Sequence, residues 1–246
     1  MIEHIILGLI QGITEFLPVS SSGHLVIFKF LLGVPSPGAA TEITLHVATA
    51  IAVIIVLFRD FGSLLNWRYL GLLALGLAPA AIAGLVFKDV IESSFDNPVP
   101  VGLFLVLTGG LLLATRWVKP RPSALNWWRV LLIGLAQVCT LLPGISRSGT
   151  TIAVALLLGI EPEEAFRFSF FMLLPAVIGG AILDARDIAS LPHPAWIAAG
   201  FAVALATGIA SLWLLRKTLI SRKLFWFAFY LLPAGVLSML IFTIFR

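Results

Sequence analysis

Gln11-Gly12-Ile13-Thr14-Glu15-Phe16-Leu17-Pro18-Val19-Ser20-Ser21-Ser22-Gly23-His24 lies at the centre of an apolar stretch, Ile5–Leu32, that is otherwise long enough to cross a bilayer. A spanning helix needs about 20 predominantly apolar residues. Here the run carries a carboxylate, a carboxamide, three successive serines and a proline. Backbone that leaves the helix at membrane depth is tolerated only when buried in protein or lining a wet cavity. The stretch therefore reads as helix, break, helix. A second apolar stretch, Trp128–Gly159, is interrupted in the same way by Pro143-Gly144-Ile145-Ser146-Arg147-Ser148-Gly149-Thr150-Thr151. Two such hairpins are expected to face each other inside a bundle.

The composition fixes the solvent. Hydrophobic residues are 60% of the 246 and charged residues only 11%, with a mean hydropathy of +1.07. A soluble domain carries about 25% charged residues, so the chain reads as an integral membrane protein. The start, Met1-Ile2-Glu3-His4, lacks a positive n-region, and a cleaved signal peptide is not expected. The single cysteine, Cys139, cannot form a disulfide within the chain. The net charge of +4 comes from basic residues in short loops between apolar runs. That is the positive-inside pattern, and it argues against nucleic acid as a partner.

Apolar runs near Thr41–Phe58, Tyr69–Phe87, Val99–Trp117, Arg167–Leu183, Ala195–Leu215 and Leu224–Phe245 supply six full spans. The expected fold is all-α: six transmembrane helices plus two re-entrant helical hairpins. The halves repeat at a constant spacing of 126. Gly8-Leu9-x-Gln11-x-x-Thr14 recurs as Gly134-Leu135-x-Gln137-x-x-Thr140, and Ser20-x-Ser22-Gly23 as Ser146-x-Ser148-Gly149. One membrane domain, 1–246, would then hold repeats 1–123 and 124–246. Three loops are basic: Arg59 and Arg68; Arg116, Lys119, Arg121 and Arg129; Arg216, Lys217, Arg222 and Lys223. The loop with Lys88, Asp89, Glu92 and Asp96 is acidic, and that with Asp184, Arg186 and Asp187 nearly so. Basic loops placed in the cytoplasm let the spans alternate without conflict. The first hairpin then enters from outside and the second from the cytoplasm. Each half has three full spans, so the repeats are expected to be inverted.

Glu15 and Gln11 lie four residues apart, on one face of a helix. The pair can hold a divalent metal, accept a proton, or orient a serine; the plainer alternative is a polar contact between hairpins. Ser20, Ser21, Ser22, Gly23 and His24 follow a proline break. A helix starting there presents its positive end to an anion. One of the serines can attack phosphorus, with His24 or Glu15 taking its proton. Serines also commonly cap helices. Arg147 brings the forked guanidinium that suits phosphate oxygens. It is flanked by Ser146, Ser148, Gly149, Thr150 and Thr151. Lesser candidates are Glu42 and His46, which enter the first full span on one face, and Gln137, which mirrors Gln11. Arg167 reads as an anchor at the end of its span, and the seven tryptophans as an interfacial belt.

These motifs resemble those of the undecaprenyl-diphosphate phosphatases, whose members confer bacitracin resistance. The (Glu/Gln)-x-x-x-Glu motif and Pro-x-Ser-Ser-x-Gly-His read here as Gln11 to Glu15 and Pro18 to His24. Pro-Gly-x-Ser-Arg-Ser-x-x-Thr reads as Pro143 through Thr151. The likeness continues through Thr41–Val53, Gly76–Gly84 and Phe166–Pro175. It implies hydrolysis of undecaprenyl diphosphate, a polyprenyl diphosphate lipid, to the monophosphate carrier of cell-wall glycans in the plasma membrane. The loop charges, for their part, place the site toward the outer leaflet. By the same resemblance Glu15, Ser21, His24 and Arg147 form the catalytic set. Ser20, Ser22, Gly23, Ser146, Ser148, Gly149 and Thr151 would bind phosphate. A divalent cation, Mg2+ or Ca2+, assists, with Glu15 and Gln11 as its protein ligands. Gln11 stands where many members carry glutamate, which weakens a two-carboxylate metal site. A second copy of the chain is a candidate partner. The rival class is a transporter of polyprenyl phosphate, because inverted repeats with broken hairpins are also the architecture of alternating access.

Overall fold

The computed structural model describes residues 2–32, 39–95, 97–118, 123–183 and 194–244, with the side chains of 28–32, 39–40, 42 and 180–183 left aside. Lys119, Arg121, Asp96, Asp184, Arg186 and Asp187, and the side chain of Glu42, fall outside it. Among the described residues the chain is helical, with one isolated bridge between Ser123 and Ile160.

The first interrupted stretch forms α1 (Ile2–Thr14) and α2 (Ser21–Leu32) on either side of its break. It is followed by α3 (Ala39–Val56), a 3-10 segment Phe58–Leu65, α4 (Trp67–Val86), α5 (Lys88–Ser94) and α6 (Pro98–Ala114). After a short 3-10 turn, Thr115–Trp117, come α7 (Trp127–Cys139) and α8 (Arg147–Leu157), on either side of the second break, and α9 (Pro162–Leu183). The chain ends in α10 (Pro194–Ile220), a 3-10 segment Leu224–Phe227 and α11 (Ala228–Ile244). Asparagines start three of these helices: the side chains of Asn66, Asn97 and Asn126 accept from the N–H groups of Arg68, Val99 and Arg129.

Trp67–Val86, Pro98–Trp117, Pro194–Ile220 and Leu224–Ile244 are long and apolar enough to cross a membrane. Ile43–Val56 with Phe58–Leu65 makes a fifth if the pair is one span, but it bends by 83°. The span expected at Thr41–Phe58 therefore ends near Val56 and turns sharply. The acidic segment read as a loop after Tyr69–Phe87 contains the short helix α5.

Helices in lipid gain little from burying apolar surface against one another, so close backbone approach between small residues matters more. α1 packs along α10, α7 along α4, and α6 along α11. Each seam is made by glycines. A Cβ on Gly134 would meet the Gly76 carbonyl at 2.6 Å, and one on Gly8 would run into the Gly200 carbonyl. In the third seam Gly102 and Gly235 each face the other's carbonyl. Phe16, Phe166, Phe168, Phe170 and Phe171 are fully buried at the centre.

One end of the bundle is tied by charge. Arg167 pairs with Asp60 at 3.3 Å and Glu164 at 2.5 Å, and Arg216 pairs with Glu163. Arg167, expected as an anchor at the end of its span, lies inside α9, which begins at Pro162. The Ser123 N–H donates to the Gly159 carbonyl at 3.0 Å, so the chain leaving α8 returns to where the approach to α7 began. All seven tryptophans are exposed, and Arg129 and Arg216 lie over the rings of Trp128 and Trp213.

Candidate active site

The two helical breaks meet tip to tip. A Cβ on Gly23 would sit 2.8 Å from the Gly144 Cα, and one on Gly149 would sit 3.0 Å from the Pro18 Cβ. A side chain at Gly23 would force the Gly144 backbone aside, and one at Gly149 would need Pro18 to give way slightly. The tips are capped identically. Ser20 Oγ accepts from the Gly23 N–H at 3.2 Å and lies 3.3 Å from Ser22 Oγ. Ser146 Oγ accepts from the Gly149 N–H at 3.2 Å and lies 3.3 Å from Ser148 Oγ. Each serine thus satisfies a donor of the first turn that the helix itself leaves open.

Each tip is braced from the bundle. Phe16 packs edge-on against Phe170 at 5.5 Å, over a bare patch of α10 where a Cβ on Gly208 would meet its ring at 2.9 Å. In the second tip Gly144 has φ +104, a conformation open to glycine. There the Thr108 hydroxyl, on α6, lies 3.3 Å from the Gly144 carbonyl and accepts from the Ser146 N–H at 3.3 Å. Ser20 holds φ +68, unusual for a residue with a side chain. Its carbonyl takes the His24 N–H at 3.2 Å and the His24 ring at 2.8 Å, which fixes the turn.

Ser21 and Arg147 are the first residues of α2 and α8, and both reach Glu15. Arg147 Nη2 donates to Glu15 Oε1 at 2.6 Å. Ser21 Oγ donates to Glu15 Oε2 at 3.1 Å, and Gln11 Nε2 donates to the same oxygen at 3.2 Å. Glu15 is buried, and its charge is balanced by the guanidinium. Arg147 Nη1 is buried and has no hydrogen-bond partner among the described residues. Around these groups lies a polar cavity of about 150 Å³, lined by Thr14, Glu15, Ser20, Ser21, Ser22, Thr140, Ile145, Ser146 and Arg147. It is suited to a phosphate headgroup and far too small for a long hydrocarbon chain.

Of the residues expected at the site, Glu15, Ser20, Ser21, Ser22, Ser146 and Arg147 line this cavity, with Gln11 directly behind Glu15. The others are turned elsewhere. Gly23 and Gly149 form the tip contact, and Ser148 bonds to Ser146. Thr151 Oγ1 lies 2.6 Å from Ser169 Oγ on α9. His24 Nε2 is 2.6 Å from the Tyr230 hydroxyl on α11, with the rings stacked. Because the Ser20 carbonyl can only accept, His24 Nδ1 carries the proton and Nε2 accepts from Tyr230. Thr14, Thr140 and Ile145 were not expected in the lining. Thr14 and Thr140 were visible as a repeated pair, but nothing local marked them as facing a ligand. His46 reaches Gln11, its Nδ1 lying 2.9 Å from Nε2.

The donor set offers a divalent cation few protein ligands. Among the described residues no three His, Cys, Asp or Glu side chains cluster. Gln11 turns its amide nitrogen to Glu15 and so acts as a donor to the carboxylate, not as a second ligand beside it. One carboxylate and a serine hydroxyl fit Mg2+ or Ca2+ only where substrate phosphates supply most of the remaining oxygens, a usual mode for Mg2+.

Fold and site together define a multi-pass α-helical membrane protein with a polar, arginine-lined cavity where two helical breaks meet. The chain belongs to the family of the bacitracin resistance protein BacA, which matches residues 4–237. It is similar along its length to named relatives. The undecaprenyl-diphosphatase of Desulfatibacillum aliphaticivorans is 38% identical, over 93% of this chain and 94% of its own. That of Methanococcus vannielii is 37% identical over 95% and 97%, and that of Syntrophotalea carbinolica 40% over 92% and 93%.

Proposed function

We propose that this chain hydrolyses a polyprenyl diphosphate, undecaprenyl diphosphate in the first instance, to the monophosphate lipid and inorganic phosphate. The observation that carries this reading is a polar cavity lined by Arg147, whose buried Nη1 has no partner among the described residues, and by Ser21 and Glu15, which are hydrogen-bonded to each other. The names of the relatives favour hydrolysis over transport.

Ser21 Oγ is the nucleophile and Glu15 Oε2, 3.1 Å away, takes its proton. The Oγ–P bond forms as the bridging P–O bond breaks, and polyprenyl monophosphate leaves. Glu15 passes the serine proton to the leaving phosphate oxygen and is a carboxylate again. It then takes a proton from the water that attacks the phosphoserine and hands it to the departing Ser21 Oγ, which frees inorganic phosphate. Arg147 and the open N–H groups at the starts of α2 and α8 offset charge on the phosphoryl oxygens, the main source of catalysis in phosphoryl transfer. A divalent cation held by the diphosphate and Glu15 would supply further charge neutralisation. His24, engaged by Ser20 and Tyr230, suits fixing the turn better than attacking phosphorus.

The same reading takes the chain as six spans and two re-entrant hairpins in inverted repeats, 1–123 and 124–246. The matched caps at Ser20 and Ser146 support it, as do the reciprocal contacts Gly23–Gly144 and Gly149–Pro18. Basic loops in the cytoplasm open the cavity to the outer leaflet. Phosphate release from polyprenyl diphosphate by the purified chain tests the function; Ser21→Ala tests the nucleophile, since near-normal turnover would eliminate it.

A further inference from the structure

We propose that His46 is a positioning residue for this hydrolysis, acting through Gln11; the inference rests on the reading just given. His46 stands on α3, outside both hairpins, and neither motif contains it. Its Nδ1 lies 2.9 Å from Gln11 Nε2 and 3.6 Å from Glu15 Oε2.

Gln11 has one nitrogen with two hydrogens, and its placement decides what His46 does. A carboxylate only accepts, so the nitrogen of the amide, not its oxygen, must face Glu15. The second hydrogen of that nitrogen then points to His46, whose Nδ1 must accept it, leaving the ring proton on Nε2. Gln11 thus donates on both sides, to His46 Nδ1 and to Glu15 Oε2, and the Ser21 hydroxyl donates to the same carboxylate oxygen. The final torsion of a glutamine is broad and roughly two-fold. Without an acceptor at Nδ1, the amide of Gln11 loses what holds it against Glu15. Oε2 then loses the donor that keeps it in line with Ser21 Oγ. Gln11 is buried, whereas the His46 side chain is 38% exposed, so trimming His46 leaves no cavity in the core.

The test is phosphate release from a polyprenyl diphosphate in detergent by wild type, His46→Leu, His46→Asn, His46→Gln, Gln11→Leu and the double variant His46→Leu/Gln11→Leu. Asparagine returns an acceptor near the place of Nδ1; glutamine puts its amide near Nε2. The expected loss for His46→Leu is about 10- to 100-fold in kcat with KM within about 3-fold, because a misplaced catalytic group costs rate more than binding. His46→Asn should recover most of the rate and His46→Gln should not. The double variant should be no slower than Gln11→Leu alone, as expected for residues acting in series. Should His46→Leu not fold, the comparison of asparagine with glutamine decides. Wild-type turnover in His46→Leu, equal losses in His46→Asn and His46→Gln, or multiplying losses in the double variant would each overturn the proposal. An inactive wild type sinks the hydrolase reading and this one with it; an active wild type with an unimpaired His46→Leu sinks this one alone.

Discussion

Arg147 Nη2 and Glu15 Oε1 meet at 2.6 Å, joining two helical breaks that lie 132 positions apart in the chain. Glu15 is buried and ion-paired with Arg147. Removing one partner of a buried ion pair leaves an uncompensated charge, worth about 3–5 kcal/mol, whereas removing both costs less. The double variant Glu15→Ala/Arg147→Ala should therefore melt above Glu15→Ala in the same detergent, although neither turns over. A double variant less stable than both singles would mean that the pair does not hold the tips together.

The three serines of the first tip should separate by role. Ser21 carries the hydroxyl bonded to Glu15, and Ser21→Ala should lower kcat by about 10³-fold or more with melting unchanged, as expected when a nucleophile is lost. Ser20→Ala removes a cap and should lower stability by about 1 kcal/mol. Kinetics and thermal melts on the same two preparations distinguish the roles.

Thr108 does not line the cavity, yet it holds the second tip. Thr108→Val keeps the shape and leaves the Ser146 N–H without its acceptor, at a cost of about 1–3 kcal/mol for a buried unsatisfied group. Turnover should fall as well, because Ser146 caps the helix that begins with Arg147. Unchanged melting in Thr108→Val would show that the bond is dispensable.

The tip glycines should rank by what a new methyl meets. Gly144→Ala combines a φ of +104 with a Cβ 2.7 Å from the Val101 carbonyl, and should be the most damaging. Gly23→Ala meets the backbone of Gly144 at 2.8 Å, and Gly149→Ala meets the Pro18 side chain at 3.0 Å. Expression and melting should fall in the order Gly149→Ala, Gly23→Ala, Gly144→Ala; the reverse order would mean that the tips do not pack in this way.

Much of this was legible in the chain. Polar residues inside apolar runs marked both breaks, since lipid punishes unpaired polar groups, and the repeated serines and glycines marked matching caps. Several helix ends were visible as the ends of apolar runs, but α9 begins at Pro162, ahead of Glu163, Glu164 and Arg167, and α10 continues past Arg216 and Lys217 to Ile220. Long-range partners were not visible. Nothing near His24 foretold Tyr230, 206 residues away, and nothing near Thr151 foretold Ser169. Both threonine and histidine fit a phosphate site as well as a structural bond, and only packing chooses between them. The 83° turn after Val56 was hidden for a related reason. The run stays apolar through Phe58, so hydropathy continues where the helix does not. Thr14 and Thr140 repeat in register, but a repeat records equivalence and not which way a side chain faces.

The most direct test is phosphate release from a polyprenyl diphosphate by the purified chain and by Arg147→Ala, each with magnesium and with chelator. Turnover by the wild type with magnesium, lost in chelator and in Arg147→Ala, is the result predicted for a metal-assisted lipid diphosphatase built where the hairpins meet. A wild type that binds the lipid but releases no phosphate, or an Arg147→Ala variant as fast as the wild type, would contradict it.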